Sequence, residues 1–335
     1  MRFFVAVPTR ARYTRREKVG SVLVIVAPGQ GAQTPGFLAP WLEVDGVAEK
    51  LHWWSAVAGL DLVHYGTEGD EEAIKDTAVA QPLLVASGLA AALSLFPEPA
   101  DLRRIGAVAG HSVGEITTAA FTGVLSAESA MAFVRQRGLA MAEAAAQTET
   151  GMCAVLGGDP DEVTEKLAAH GLTAANNNGG GQLVAAGTLE QLAALRAEGI
   201  TKARIIPLKV AGAFHTDHMA PGVERLSRIA PGVPVSAPAT VYLSNADGKV
   251  LDSGAEVLAR LVSQVSNPVR WDLCVETLAE LGATCVIEMP PAGTLTGLLK
   301  RNLKGVATLA LKTPADLDKA RELIAEHATP EGVVA

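Results

Sequence analysis

Cysteine is scarce. The 335 residues hold three, Cys153, Cys274 and Cys285, far apart and without a C-x-x-C pair. That spacing argues for buried, reduced thiols and a cytoplasmic protein. Long apolar runs are missing too: none reaches the ~18 residues a membrane span needs, so no membrane partner is expected. Positive charge does not dominate. Lys and Arg number 28 against 36 Asp and Glu, a formal net charge of −8, which argues against nucleic acid as a partner. There is no repeat at solenoid periods and no low-complexity tract. Metal-ligand spacing occurs at His215-Thr216-Asp217-His218, but no third ligand cluster supports it, so no metal is expected. At the start of the chain, apolar residues precede basic ones, the reverse of a signal peptide. Residues 1–21 are therefore expected to be a disordered extension.

What is present is an ample core, with 49% hydrophobic and 19% charged residues. Residues 22–27 are apolar and rich in β-branched side chains, which predicts a buried strand. Pro28-Gly29-Gln30-Gly31 breaks it. A second apolar run, 105–109, ends at Gly110, and helical character follows over 113–125. Ser126 is a candidate N-cap for a helix reaching about residue 146. Strand, helix, two strands, helix and strand are then expected at 152–156, 160–170, 172–176, 182–186, 189–198 and 203–210. That βαββαβ order is ferredoxin-like and reads as an insertion. Strands at 241–244 and 285–288 and helices at 258–266, 274–281 and 316–328 complete an α/β pattern with a mainly parallel sheet. The expected division is 22–147 with 207–320 as one discontinuous unit, 148–206 as the insertion, and 321–335 as a C-terminal helix and tail.

Gly110-His111-Ser112-Val113-Gly114 fits a nucleophile elbow, in which glycines permit a sharp strand-to-helix turn under an exposed serine. The helix beginning there has free N–H groups that can hold an oxyanion. Such a serine needs a base, usually histidine. His111 adjoins Ser112, so its side chain should point away. His215 and His218 both remain candidates on the residues alone. Arg137 has apolar neighbours Phe133, Val134, Ala140 and Met141 on its helical face, and a buried guanidinium there would want a carboxylate. Arg135, among Met131, Ala132, Gly138 and Leu139, meets the same test.

Pro28-Gly29-Gln30-Gly31-Ala32-Gln33 and Gly110-His111-Ser112-Val113-Gly114-Glu115 together resemble the malonyl-CoA:acyl carrier protein transacylases, whose pattern the acyltransferase domains of polyketide synthases share. The resemblance spans about residues 22–312. It implies an α/β-hydrolase-like large subdomain with a parallel sheet, carrying the inserted ferredoxin-like small subdomain. It implies His215 as base, since it follows the aromatic position, and Gln264, before Asn267-Pro268, as the residue whose backbone carbonyl orients that histidine. A helix end stopped by Pro268 would leave such a carbonyl free. Arg137-Gly138 matches the family's carboxylate-binding Arg-Gly pair. The N–H groups of Gln30 and Val113 would form the oxyanion hole. Phe214, in Gly-Ala-Phe-His, matches the malonyl-type specificity marker. His111, Asn176 and Asn178 would line the pocket. The Glu-x-Gly-Pro-Gly motif of such proteins is altered here to Glu288-Met289-Pro290-Pro291-Ala292-Gly293.

The implied reaction moves malonyl from malonyl-CoA through malonyl-Ser112 to the phosphopantetheine thiol of an acyl carrier protein, with ping-pong kinetics and no metal or redox cofactor. A serine acyl hydrolase on a similar elbow is the alternative. Lys300, Arg301 and Lys304 form a candidate basic patch for an acidic carrier, or else a solvated helix face.

Overall fold

Apolar β-branched runs without polar alternation suit strands covered on both faces. β1 (Leu23–Ala27) is of this kind, and both it and β2 (Ala107–Gly110), which is built of small apolar residues, are buried along their whole length. β3 (Thr150–Gly157), β4 (Thr173–Asn177), β5 (Gln182–Thr188) and β6 (Ala203–Pro207) follow. β7 (Val241–Leu243), β8 (Val250–Leu251), β9 (Val269–Arg270), β10 (Cys285–Glu288) and β11 (Ala307–Ala310) complete the set. This computed structural model describes residues 20–328, so nearly all of the expected extension at 1–21, and the tail from 329, lie outside the described residues.

The architecture is α/β with two mixed sheets. The first has the order β11-β10-β1-β2-β7-β8. It is parallel as far as β7, but β8 pairs antiparallel to β7 and makes a short antiparallel edge, which the expectation of a parallel sheet lacked. Side chains alternate across a strand. Leu23 and Ile25 of β1 therefore enter one core, with the larger helices, while Val22, Val24 and Val26 enter another with Trp271 and Cys274.

The second sheet has the order β6-β3-β5-β4-β9. Its pairs are antiparallel except β4–β9, which is parallel. Helices Pro160–Ala169 and Leu189–Glu198 cover it through Val163, Leu167, Leu192 and Leu195. β9 comes from the stretch 207–320 that the sequence assigns to the large unit, yet it pairs with β4 of this sheet.

Helix Thr77–Leu95 had no periodic signal, because it is apolar nearly all round and almost wholly buried. Its 19 residues exceed the length expected of any apolar run in this chain. Among the described residues it is the one helix long and apolar enough to cross a membrane, but its burial is that of a core helix. Several expected helices are shifted or shorter: Gly114–Phe121, Gly254–Ser263, Trp271–Glu280 and Leu317–His327. Ser126 caps helix Ala127–Ala145 by accepting the Ser129 N–H. All three cysteines are buried and unpaired.

Candidate active site

β2 ends at Gly110, and helix Gly114–Phe121 starts four residues later. Ser112 turns the corner with φ of 52°. A left-handed conformation at a non-glycine residue costs about 1–3 kcal/mol and persists only where the surroundings enforce it. Both flanking glycines are needed for the turn. A Cβ on Gly110 would lie 2.1 Å from the Glu115 amide nitrogen, and one on Gly114 would lie 2.1 Å from the Ala27 carbonyl oxygen.

The loop after β1 lies against this corner. A Cβ on Gly29 would be 3.1 Å from the His111 carbonyl and 3.6 Å from Ser112 Cβ. Gln30 Nε2 donates to the Lys75 carbonyl at 3.0 Å, and Gln33 bridges the Gly31 N–H and the Ile74 carbonyl. Those bonds anchor the loop that carries Gln30, directly after the glycine that meets the elbow. Val113 is the N-cap residue of the following helix, where amides lack intrahelical acceptors.

Ser112 Oγ and His215 Nε2 are 2.8 Å apart. His215 Nδ1 faces two backbone carbonyls, Gln264 at 2.8 Å and Asn267 at 3.2 Å. Carbonyls only accept, so Nδ1 carries the proton and Nε2 is left with a lone pair for the serine proton. The Gln264 carbonyl is available because helix Gly254–Ser263 tightens into a short 3-10 turn that ends before Pro268. Burial, then the Arg137 charge, pulls the His215 pKa down to about 3. His218 makes no bond to Ser112, and its backbone N–H is taken by Thr216 Oγ1. Among the described residues no three His, Cys, Asp or Glu side chains are grouped to hold a metal.

The two arginines part company. Arg137 is 1% exposed, and its Nη2 lies 3.3 Å from Ser112 Oγ and 2.6 Å from Gln264 Oε1. Its Nη1 donates to Gln81 Oε1 at 2.5 Å, while Nε has no partner. Burial lowers its pKa to about 10, which still leaves it cationic at neutral pH. Arg135 instead donates to the Ala78 carbonyl at 2.6 Å. Pro82, four residues further along that helix, has no N–H to give to Ala78. Arg135 therefore caps a carbonyl that a proline has freed.

His111 Nε2 meets Asn178 Oδ1 at 3.0 Å, and its ring tilts against Trp271 with centroids 5.8 Å apart. Burial pushes its pKa down. Asn178 in turn accepts from Asn302 Nδ2 at 3.0 Å. Phe214 is buried in the main core beside His215. Asn176 makes no hydrogen bond to these groups, and its buried Oδ1 has no partner. In the altered loop, the Glu288 carboxylate accepts the N–H groups of Gly293, Leu295 and Thr296 at 2.8–2.9 Å, and so caps helix Thr294–Asn302. Lys300, Arg301 and Lys304 are exposed. Arg301 Nη2 donates to Gln182 Oε1, so the patch adjoins the hairpin that carries Asn178.

Sequence reasoning missed three residues. Gln81 was visible only as one polar side chain in an apolar helix. Asn245 donates its side chain to the Gly110 carbonyl at 3.1 Å. Glu115 lies within the elbow motif, but nothing in the sequence shows that it is 1% exposed or that it accepts from the Asn245 N–H at 2.5 Å and from Gln264 Nε2. Burial raises its pKa to about 7. The assembled groups can deprotonate a serine, orient its base and present a fixed positive charge next to it.

A family model described as an acyl transferase domain matches residues 24–324. The malonyl CoA-acyl carrier protein transacylase of Mycobacterium tuberculosis is 47% identical over 302 residues, which cover 90% of this chain and 100% of that protein. A crystal structure of MCAT from Mycobacterium tuberculosis superposes with a TM-score of 0.87 at 48% identity, over 90% of this chain and 99% of that one. A malonyl-transacylase solved in complex with its type II PKS acyl-carrier protein gives a TM-score of 0.83 at 30% identity, over 90% and 100%.

Proposed function

The chain belongs to the acyl transferase family, and from that premise we propose that it transfers malonyl from malonyl-CoA to the phosphopantetheine thiol of an acyl carrier protein. The observation that carries this reading is the buried Arg137 guanidinium 3.3 Å from Ser112 Oγ. A carboxylate needs such a partner, and an acyl hydrolase acting on simple esters does not.

His215 Nε2 takes the Ser112 proton as Oγ attacks the thioester carbonyl. The N–H groups of Gln30 and Val113 receive the oxyanion. Collapse breaks the thioester C–S bond and expels CoA thiolate, which takes from His215 the proton that came from Ser112. The malonyl carboxylate rests on the Nε–Nη2 edge of Arg137 through two parallel, charge-assisted hydrogen bonds. The carrier thiol then repeats the attack on malonyl-Ser112, again with His215 as base. Nothing in these steps needs a metal or redox cofactor. Phe214 would crowd an α-methyl group, a preference worth only about 1–3 kcal/mol. His111, Asn176 and Asn178 line the pocket in this reading, and the Lys300, Arg301 and Lys304 patch receives the carrier. Fatty acid and polyketide carriers both fit this chemistry, and a cytoplasmic setting suits the three unpaired thiols.

We also infer an α/β-hydrolase-like large subdomain, from the elbow after β2, and a ferredoxin-like small one. The strand order β6-β3-β5-β4 with two covering helices supports the latter.

Initial rates of malonyl transfer to holo-carrier, with both substrates varied, test the proposal. Parallel double-reciprocal lines and a labelled carrier are expected. Release of free malonate faster than carrier labelling would instead show a hydrolase.

A further inference from the structure

Gln264 touches the site at three points. Its backbone carbonyl faces His215 Nδ1, its Oε1 faces Arg137, and its Nε2 donates to the Ser112 carbonyl at 3.0 Å and to Glu115. The two ends of an amide side chain are nearly the same shape and opposite in hydrogen bonding. A half-turn about the last bond would aim NH2 at the guanidinium, donor against donor. The surrounding groups must therefore choose the orientation. Arg137 demands an acceptor, and the Glu115 Oε2 that faces Gln264 Nε2 offers an acceptor to the amide NH2. Glu115 is itself fixed, because the Asn245 N–H holds its other oxygen at 2.5 Å.

We propose that Glu115 is a positioning residue for malonyl transfer: by holding Gln264 Nε2 it turns Gln264 Oε1 toward Arg137 and sets the guanidinium where the malonyl carboxylate is gripped. This assignment rests on the malonyl-transfer reading above. The attraction between Glu115 and Arg137 acts in the same direction, since each favours the charged form of the other. Glu115 touches neither Ser112 nor His215 through a side-chain hydrogen bond, so its effect should appear in the hold on the carboxylate rather than in nucleophile strength.

The test compares two acyl donors. Malonyl-CoA needs Arg137, whereas p-nitrophenyl acetate, small and neutral, needs only the serine, its base and the oxyanion donors. Glu115→Gln should lower kcat/KM for acylation by malonyl-CoA about tenfold or more, with p-nitrophenyl acetate kept within about threefold of wild type. Gln264→Leu should lose malonyl acylation at least as far as Glu115→Gln, and adding Glu115→Gln to it should cost malonyl acylation no more than Gln264→Leu alone. Should Glu115→Gln fail to fold, Glu115→Asp keeps the charge, draws it back by one methylene and should lose malonyl acylation selectively. Equal losses on both donors, an unchanged malonyl rate, or additive losses in the double variant would overturn the assignment. A wild-type enzyme that is acylated by p-nitrophenyl acetate but not by malonyl-CoA would overturn the function reading instead.

Discussion

Acid should slow this enzyme far less than it slows a site with a solvated histidine. The base form of His215 is the neutral one, and burial with the Arg137 charge moves its pKa from 6.5 to about 3. At pH 5 a group with the ordinary value is only about 3% neutral, whereas one at 3 is about 99% neutral. Acylation by p-nitrophenyl acetate, which has no carboxylate of its own, should therefore change no more than about twofold between pH 7 and pH 5, against roughly a 25-fold fall for an unshifted histidine. Stopped-flow acylation, followed where nitrophenol and nitrophenolate absorb equally, measures this. A logarithmic rate that drops one unit per pH unit below about 6.5 would refute the reasoning. The same shift has a stability consequence. The unfolded chain takes up the His215 proton first, so this contribution is intact above pH 6.5 and declines as pH falls toward 3. Glu115, raised from 4.5 to about 7, works in the opposite sense: its contribution is present below pH 4.5 and is lost as pH rises to 7.

Arg137→Ala should cut malonyl-CoA acylation by about a hundredfold or more while leaving p-nitrophenyl acetate turnover, because a buried charge-assisted hold is lost. Arg135→Ala should leave the acylation rate alone and cost about 1 kcal/mol in urea unfolding, from the Ala78 carbonyl left without a donor; the reverse pattern would exchange the two assignments. Gly114→Ala places a methyl 2.1 Å from the Ala27 carbonyl and should abolish acylation, whereas Gly297→Ala, in open space on a helix, should stabilise by about 0.5–1 kcal/mol in thermal unfolding. Lys300→Glu with Arg301→Glu should raise KM for the carrier severalfold without altering acylation by malonyl-CoA, and an unchanged carrier KM would place docking elsewhere.

The sequence reading reached furthest where local chemistry decides the outcome. The β10 and Leu189–Glu198 boundaries coincide with the expected ones, and the structure shows a local cause for the second, the Thr188–Gln191 capping box at the helix start. Helix Thr77–Leu95 was invisible because a helix buried on every side has no amphipathic period to detect. β8 and β9 are two residues each, too short to show a pattern, and β9 exists only through its pairing with distant β4. Ser112 follows from the elbow spacing, His215 and Gln264 only from the resemblance, and the fold brings the three together. Arg135 and Arg137 were indistinguishable on neighbours alone. Both reach the Thr77–Leu95 helix, and only the folded elbow shows that Arg137 is the one beside the serine. Glu115 was in plain view within the motif, but its partners Asn245 and Gln264 lie 130 and 149 residues away, which no local pattern encodes.

The central claim is a covalent malonyl-serine intermediate, and peptide mass mapping tests it most directly. Incubation with malonyl-CoA alone should place one malonyl group on the peptide that contains Ser112, and none in Ser112→Ala. Addition of holo-carrier should then discharge that peptide and load the carrier thiol. Malonyl found on another residue, or a carrier loaded while Ser112 stays unmodified at every time point, would contradict the account.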